Sequence, residues 1–205
     1  MKKHIVIDRE YGSGGREVAR ILSERLDMPF YDGNLLVMAG KEYGIELGVI
    51  EDFDEKGVGG ILSDIAMMTS NASPGYKMEE AYSVFSALSR LVQQLVAKNP
   101  CIFLGRCTAH ILKTEARVPY VNALVYAIRM EDRIERAHTG DGVDMSRIEA
   151  YIKRRDSQRR NYVKFFTDKV WGDPKNYDLM LNTSTLGYEG AAAAIIGVLE
   201  ARASN

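Results

Sequence analysis

The stretch Ile5-Val-Ile-Asp-Arg-Glu-Tyr-Gly-Ser-Gly-Gly-Arg-Glu-Val-Ala-Arg-Ile-Leu22 sets a short apolar run, a glycine cluster and a helical pattern end to end. It reads as strand, tight turn and helix. Gly12, Gly14 and Gly15 let the backbone approach a ligand closely, and the helix behind them offers unpaired N–H groups to an anion. A phosphate is the expected guest. Against the phosphate-loop pattern G-x-x-x-x-G-K-[ST], Gly14 matches the final glycine, Gly15 and Arg16 occupy the Lys and Ser/Thr positions, and Arg9 stands where the first glycine would be. The lysine that normally reaches the outer phosphates is missing. Arg16, Arg9 and a later helix carrying Arg155 and Arg159 are the candidate replacement cations.

The rest of the chain is ordinary in size and charge. Its 205 residues and 46% apolar content suit one domain with a single well-buried core. A net charge of −1 provides no basic field for nucleic acid as the main partner. No run reaches the ~18 apolar residues of a membrane span, and the Met-Lys-Lys-His start passes at once into a strand, so a cytoplasmic protein with reduced thiols is expected. Cys101 and Cys107 have no nearby partners with metal-ligand spacing and are expected to be packing residues. His4, His110 and His138 are dispersed, and no metal site is expected from protein ligands.

Working outward, Val18, Ile21, Leu22 and Leu26 form one helical stripe that stops at Asp27 and Met28-Pro29. Phe30-Tyr31 is a short second strand ending at Asp32-Gly33. A helix is expected around Leu35 to Ala39 and another over Ile61–Met68, with a turn at Asn71–Gly75. Met78–Lys98 has a strong helical pattern through Tyr82, Phe85, Leu88, Leu91, Val92 and Leu95. Cys101–Leu104 reads as a buried parallel strand ending at Gly105-Arg106. One or two helical turns are expected over Ala109–Lys113, a strand over Val121–Ile128, a helix over Glu131–Ala137 and a turn over Thr139–Gly142. Asp144 or Ser146 is expected to cap a long helix, with Ser146-x-x-Glu149 fitting a capping box. Tyr177–Asn182 is a last strand, and Thr183–Thr185 offers caps to a closing helix over Tyr188–Ala201. Strands alternating with helices point to an α/β fold, a parallel sheet of about five strands covered on both faces.

Within that frame the long helix places Arg155 and Arg159 four residues apart on one face, with Tyr151 and Tyr162 one turn to either side. Arg154 and Arg160 lie beside them. Arginines crowded this way suit an anion, since each guanidinium is planar, permanently charged and forked to match phosphate; a solvated basic face paired with Asp156 is the structural alternative. Arg106 at a strand end would reach the ligand crevice and bind a substrate phosphate, with a structural pairing to a carboxylate as the alternative. A rival reading of the glycines as G-x-G-x-x-G, with Asp32 as a ribose-binding acid, meets Glu17 where the third glycine should be and leaves a dinucleotide-dependent oxidoreductase as a remote alternative.

Taken together, Ile5–Leu26, Phe30–Asp32, Phe103–Arg106, Arg155–Arg159 and Asp178–Ser184 resemble the cytidylate kinase-like branch of the nucleoside monophosphate kinases. The most specific parts are Tyr11-Gly-Ser-Gly-Gly-Arg-Glu17 and Lys169-Val-Trp-Gly-Asp-Pro-x-Asn-Tyr-Asp178, and members of that branch carry a similar lysine-less loop. The resemblance implies a three-layer P-loop fold with a helical monophosphate-binding insert at about 34–76 and a short arginine-bearing lid at about 139–170. It implies ATP and Mg²⁺ as cofactors. By position, Gly12, Ser13, Gly14, Gly15, Arg16 and Glu17 would hold the ATP phosphates, and Asp8, Asp32 and Arg106 would face the monophosphate. Arg155 would stabilise the transferred phosphoryl group, and the residues themselves add Arg16 and Arg159 as candidate catalytic cations. Cys107, Arg159 and Met38 depart from the cytidylate kinase pattern at positions used to read cytosine or grip the monophosphate. The expected activity is thus ATP-dependent phosphoryl transfer to a nucleoside monophosphate or related small acceptor, in a cytoplasmic protein that needs no membrane and is a possible homo-oligomer. A nucleotide-binding regulatory module without transfer is the alternative of a different class.

Overall fold

The computed structural model describes residues 3–46, 50 and 74–203. The strands are β1 (His4–Arg9), β2 (Phe30–Tyr31), β3 (Ile102–Leu104), β4 (Tyr120–Tyr126) and β5 (Leu179–Asn182). The helices are α1 (Gly15–Leu26), α2 (Asn34–Tyr43), α3 (Pro74–Lys98), α4 (Thr108–Ile111), α5 (Met130–Asp141), α6 (Ile148–Thr167) and α7 (Thr183–Ala203). The strands form one sheet in the order β2-β3-β1-β4-β5, and each neighbouring pair is parallel. This is the three-layer α/β architecture that the alternation of strands and helices implies.

The alternation of side chains along β1 explains the layers. Ile5 and Ile7 face α1 and α7, in a core shared with Val18, Leu22, Val125 and Ile195. Val6 faces the opposite layer, with Leu36, Leu88, Val92 and Phe103. Both faces of the central strand are covered, which is why it reads as a nearly unbroken apolar run. Because β2 and β3 lie on one side of β1 and β4 and β5 on the other, the chain direction across the sheet reverses beside β1. Crevices open at the carboxyl ends of strands at such a point. A third, small core of Ala137, Ile148 and Ile152 joins α5 to α6 and touches Tyr11.

Several boundaries differ from expectation for identifiable reasons. The expected helix over Ile61–Met68 lies outside the described residues, as do Asn71 to Ser73 of the expected turn. Pro74 and Gly75, expected to complete that turn, already belong to α3, where a proline costs no helical hydrogen bond in the first turn. The turn expected at Thr139 begins only at Gly142, the left-handed cap of α5 (φ 66°). Asp144, not Ser146, supplies the cap before α6: its carboxylate accepts from the Ser146 N–H at 2.7 Å and from the Ser146 hydroxyl, and Met145–Arg147 forms a 3₁₀ turn. The last strand begins at Leu179 and not at Tyr177; Asp178 before it is bonded to Asn122 of β4 through its N–H and its carboxylate, each at 2.8 Å. The closing helix is interrupted at Gly187 (φ 63°, ψ 179°), so its continuous part starts at Tyr188 as expected.

The aromatic residues Tyr162, Phe165 and Phe166 pack α6 against α3, with Phe166 stacked on Phe85 at 4.3 Å. Phe103 is fully buried in the middle of the sheet and stacks on Tyr31 at 5.5 Å. Truncation of Phe103 to Ala is expected to cost about 3 to 5 kcal/mol, read as a shift in the denaturant midpoint with an unchanged slope.

Candidate functional site

The glycine loop lies at the carboxyl end of β1, between Arg9 and the first turn of α1. Gly12 (φ 75°) and Gly14 (φ 79°) adopt the left-handed conformation. A Cβ on Gly12 would lie 2.5 Å from the Arg133 carbonyl oxygen, and one on Gly14 would run into the ring of Tyr188. The loop is pinned from below. Ser13 is buried and its hydroxyl sits 2.9 Å from the Glu10 carbonyl oxygen and 3.0 Å from that of Val125. Thr183, expected as a helix cap, instead places its hydroxyl 2.8 Å from the Ser13 carbonyl oxygen and 3.1 Å from that of Tyr126. The first residue of α7 thereby ties β4 and the loop together.

The loop's tip is clamped by α5 and α6. The Tyr11 N–H donates to Asp156 at 2.7 Å, and Arg133 donates from Nε to the Tyr11 carbonyl at 2.8 Å while pairing with Asp156. Asp156 and Arg133 are both buried, and Arg133 also lies 3.5 Å from Glu10. The Tyr11 ring meets Tyr151 edge-on at 5.3 Å and its hydroxyl donates to Asp141 at 2.8 Å; burial, with Asp141 next, raises its pKa. Arg133 and this anchoring role of Asp156 were not singled out from sequence. The usable signal is the spacing of Arg133 and Arg136, three residues apart on α5.

Beside this clamp the arginines converge. Arg159 donates to the Arg9 carbonyl oxygen at 2.8 Å, lies 3.6 Å from Asp156, and sits 5.6 Å from the centre of the Tyr11 ring. Burial, with Arg155 and Arg106 adding repulsion and Asp156 opposing, brings its pKa down to about 10. Arg9 is driven well below the usual arginine range by burial first, then by Arg159 and Arg106, with Arg155 contributing. Arg106 lies 5.9 Å from the Tyr162 ring. Four guanidinium groups from β1, the β3 end and α6 therefore act on one another at the mouth of the loop. Arg154 and Arg160 point elsewhere, over Tyr151 at 5.4 Å and Trp171 at 5.9 Å. Gly105, Arg106 and Cys107 take successive left-handed conformations (φ 71°, 60° and 56°). Such conformations at two consecutive non-glycine residues persist only where the surroundings impose them, and they gather at functional sites.

The remaining residues expected in the site fall around this centre. Asp8 accepts a hydrogen bond from the Tyr177 hydroxyl at 3.1 Å, which gives the Lys169–Asp178 segment its connection to the site. Arg16 and Asp32 are brought together as an ion pair, with the Arg16 side chain 63% exposed. Glu17 pairs with Arg136 at 3.1 Å and with Arg20 at 3.2 Å. Cys101 and Cys107 are free and buried, and His4 accepts the Cys101 N–H at 3.1 Å, a structural role. A cleft of about 330 Å³ opens on the other side of the loop, lined by Gly12, Ser13, Arg129, Arg136, Gly187 and Tyr188 among others. Among the described residues, no group of three or more His, Cys, Asp or Glu side chains could hold a metal ion, and no helix is long and apolar enough to cross a membrane.

The model of the cytidylate kinase-like family matches residues 4–185. Curated proteins give no match. Among solved structures, an uncharacterized protein from Eubacterium ventriosum superposes with a TM-score of 0.69 at 20% identity, covering 97% of this chain and 98% of its own. A gluconokinase from Sinorhizobium meliloti gives 0.55 at 14% identity, covering 100% and 95%. The shikimate kinase from Acinetobacter baumannii in complex with shikimate gives 0.50 at 14% identity, covering 98% and 94%. At these identities the likeness is one of fold, that of the P-loop kinases.

Two outcomes are expected from this geometry. Replacing Asp156 by Ala strands the buried Arg133 and frees the Tyr11 N–H, and should cost about 3 to 5 kcal/mol in equilibrium unfolding. For Asp8, burial raises the carboxyl pKa against the pull of Arg9, the Tyr177 hydroxyl and Arg159. The folded protein then binds this proton more tightly than the unfolded chain. The group's stabilising contribution is full below the ordinary carboxylate range and is lost as pH rises through the raised value. Asp8→Asn, shaped like the protonated acid, should match the wild type at acid pH and gain in Tm relative to it as pH approaches neutrality; a gap that widens towards acid would contradict the assignment.

Proposed function

The chain belongs to the cytidylate kinase-like family, and from that premise we propose that it is an ATP-dependent phosphotransferase acting on a nucleoside monophosphate or a related small acceptor. The observation that carries the reading is the convergence of Arg9, Arg106, Arg155 and Arg159 on a glycine loop that opens a helix. Guanidinium groups from separate elements, mutually repulsive and half-buried, are stabilised by an anion with several oxygens, and a transferring phosphoryl group carries its charge on such oxygens. Catalysis of this kind is positioning and electrostatic stabilisation, which fixed arginines and backbone N–H groups supply.

In this reading residues 1–205 form one kinase-like domain. Gly12 to Glu17 hold the phosphates of ATP, with the cleft beside Tyr188 and Arg129 receiving the rest of the nucleotide. Asp8, Asp32 and Arg106 face the acceptor, whose insert spans about 34–76, and α6 within the lid at about 139–170 brings Arg155 and Arg159 to the transferred group. The donor set for Mg²⁺ is sparse. Position 16 carries arginine in place of the Ser or Thr of the phosphate-loop pattern, and Asp8, with one oxygen held by Tyr177 and the other turned towards Gly105, is the carboxylate that an ion carried in on the triphosphate would meet. That ion would supply charge neutralisation between the phosphates. A module that binds nucleotide without transferring phosphate is the second reading, motivated by the missing lysine.

Incubation with Mg·ATP and a panel of nucleoside monophosphates and small phosphorylated or hydroxylated acids, followed as ADP release, should find an accepting substrate. Arg155→Ala should then lower kcat by roughly 10³-fold or more. Tight ATP binding with no turnover on any acceptor would leave the binding module as the function.

A further inference from the structure

Gly15 stands where the phosphate-loop pattern carries its lysine, and the backbone does not require a glycine there. Gly15 is the first residue of α1 and is absent from the residues at positive φ. Space is the reason: a Cβ at position 15 would lie 2.6 Å from the Arg9 Cβ and 3.0 Å from its Cγ. At the far end of the same side chain, a Cβ on Gly105 would overlap Arg9 Nη1. The arginine lies in a slot between the first turn of the helix and the end of β3, with Nη1 donating to the Leu104 carbonyl at 3.1 Å. Position 9 is itself where the pattern has glycine. The two residues have exchanged roles, a long cation for glycine at one site and glycine for a long cation at the other.

The surroundings of Arg9 oppose its charge more than they support it: burial, Arg159 and Arg106 act against it, and the attraction of Asp8 offsets them only in part. Among the described residues no carboxylate lies within ion-pairing distance of it, and its one hydrogen bond uses one of five guanidinium donors. The neighbouring Asp8 attracts it but also accepts from Tyr177, while Arg159, Arg106 and Arg155 all repel. A guanidinium held this way is better placed to receive an anion than to stabilise the empty fold.

We propose that Arg9 is the relocated phosphate-binding cation of this loop, and that Arg9 and Gly15 are a reciprocal pair in which a long side chain fits at one position only when the other is glycine. This rests on the reading of the loop as an ATP site and names the group that replaces its lysine. An arginine here presents a planar fork to two phosphate oxygens where lysine presents a point charge, so Arg9→Lys should be an imperfect substitute.

The test uses the full chain, with tripolyphosphate and ATPγS binding measured by calorimetry and thermal stability measured with and without them. Arg9→Gly and Arg9→Gln are expected to weaken both ligands at least tenfold and to lose most of the ligand-induced rise in Tm. Arg9→Gln without ligand should melt no lower than the wild type, because like charges are relieved; a purely structural arginine would instead lower Tm and leave ligand binding intact, which would overturn the proposal. Gly15→Lys alone should bind poorly or fail to fold. The double variant Arg9→Gly with Gly15→Lys should fold and recover at least tenfold in affinity over Arg9→Gly. A double variant no better than Arg9→Gly would overturn the reciprocal pairing. If the wild type binds neither ligand, the phosphate-binding reading falls and Arg9 with it. If the wild type binds and the Arg9 variants bind equally, only the role of Arg9 falls.

Discussion

One buried carboxylate organises the functional end of this molecule. Asp156 accepts the Tyr11 N–H, pairs with Arg133, and stands within ion-pair distance of Arg159. Through these contacts it joins the glycine loop, α5 and α6. Removing a carboxylate from water is costly, and the cost is offset here by two cations and a backbone donor in fixed geometry. The loop therefore keeps its shape because a side chain on another helix occupies its outermost amide. α6 cannot shift relative to the loop without breaking that bond.

The second constraint is an excess of like charge. Around the end of β1, Arg159, Arg106 and Arg155 repel Arg9, and Arg155 and Arg106 repel Arg159, while Asp8 and Asp156 attract in return. Such a grouping works against the empty protein and in favour of a complex with a polyanion. The helix N-terminus and the glycine backbone supply directed N–H groups, and the arginines supply charge. In the proposed reading, a bound polyanion would offset that repulsion.

Much of the fold is legible in the sequence. The runs at Ile5–Ile7, Ile102–Leu104 and Val121–Val125 are strands with both faces of the sheet covered, and the stripe Val18, Ile21, Leu22 buries one side of α1 as its spacing requires. Element ends were less legible where a tertiary bond outweighed a local signal. Ser146 has the spacing of a capping box, yet Asp144 makes the cap; Thr183 has the chemistry of a cap, yet its hydroxyl serves the Ser13 and Tyr126 carbonyls. In the site, the arginine pair on α6 was visible from its four-residue spacing. Arg133 was not, because its partners are 122 and 23 residues away in sequence.

By itself the sequence determined the class of fold, the place of the loop at the end of the first strand, and the absence of a lysine from it. Those are matters of period, composition and adjacency, which a chain displays in one dimension. Only the tertiary structure decided what surrounds that loop. The overlap of a side chain at position 15 with Arg9, the clamp on Tyr11 by Asp156, and the meeting of arginines from three elements arise from chain segments up to 150 residues apart. Excluded volume and electrostatic repulsion act across space whatever the separation along the chain, so a glycine that looks like a defect in the motif is, in the folded protein, the room that the stem of the Arg9 side chain occupies.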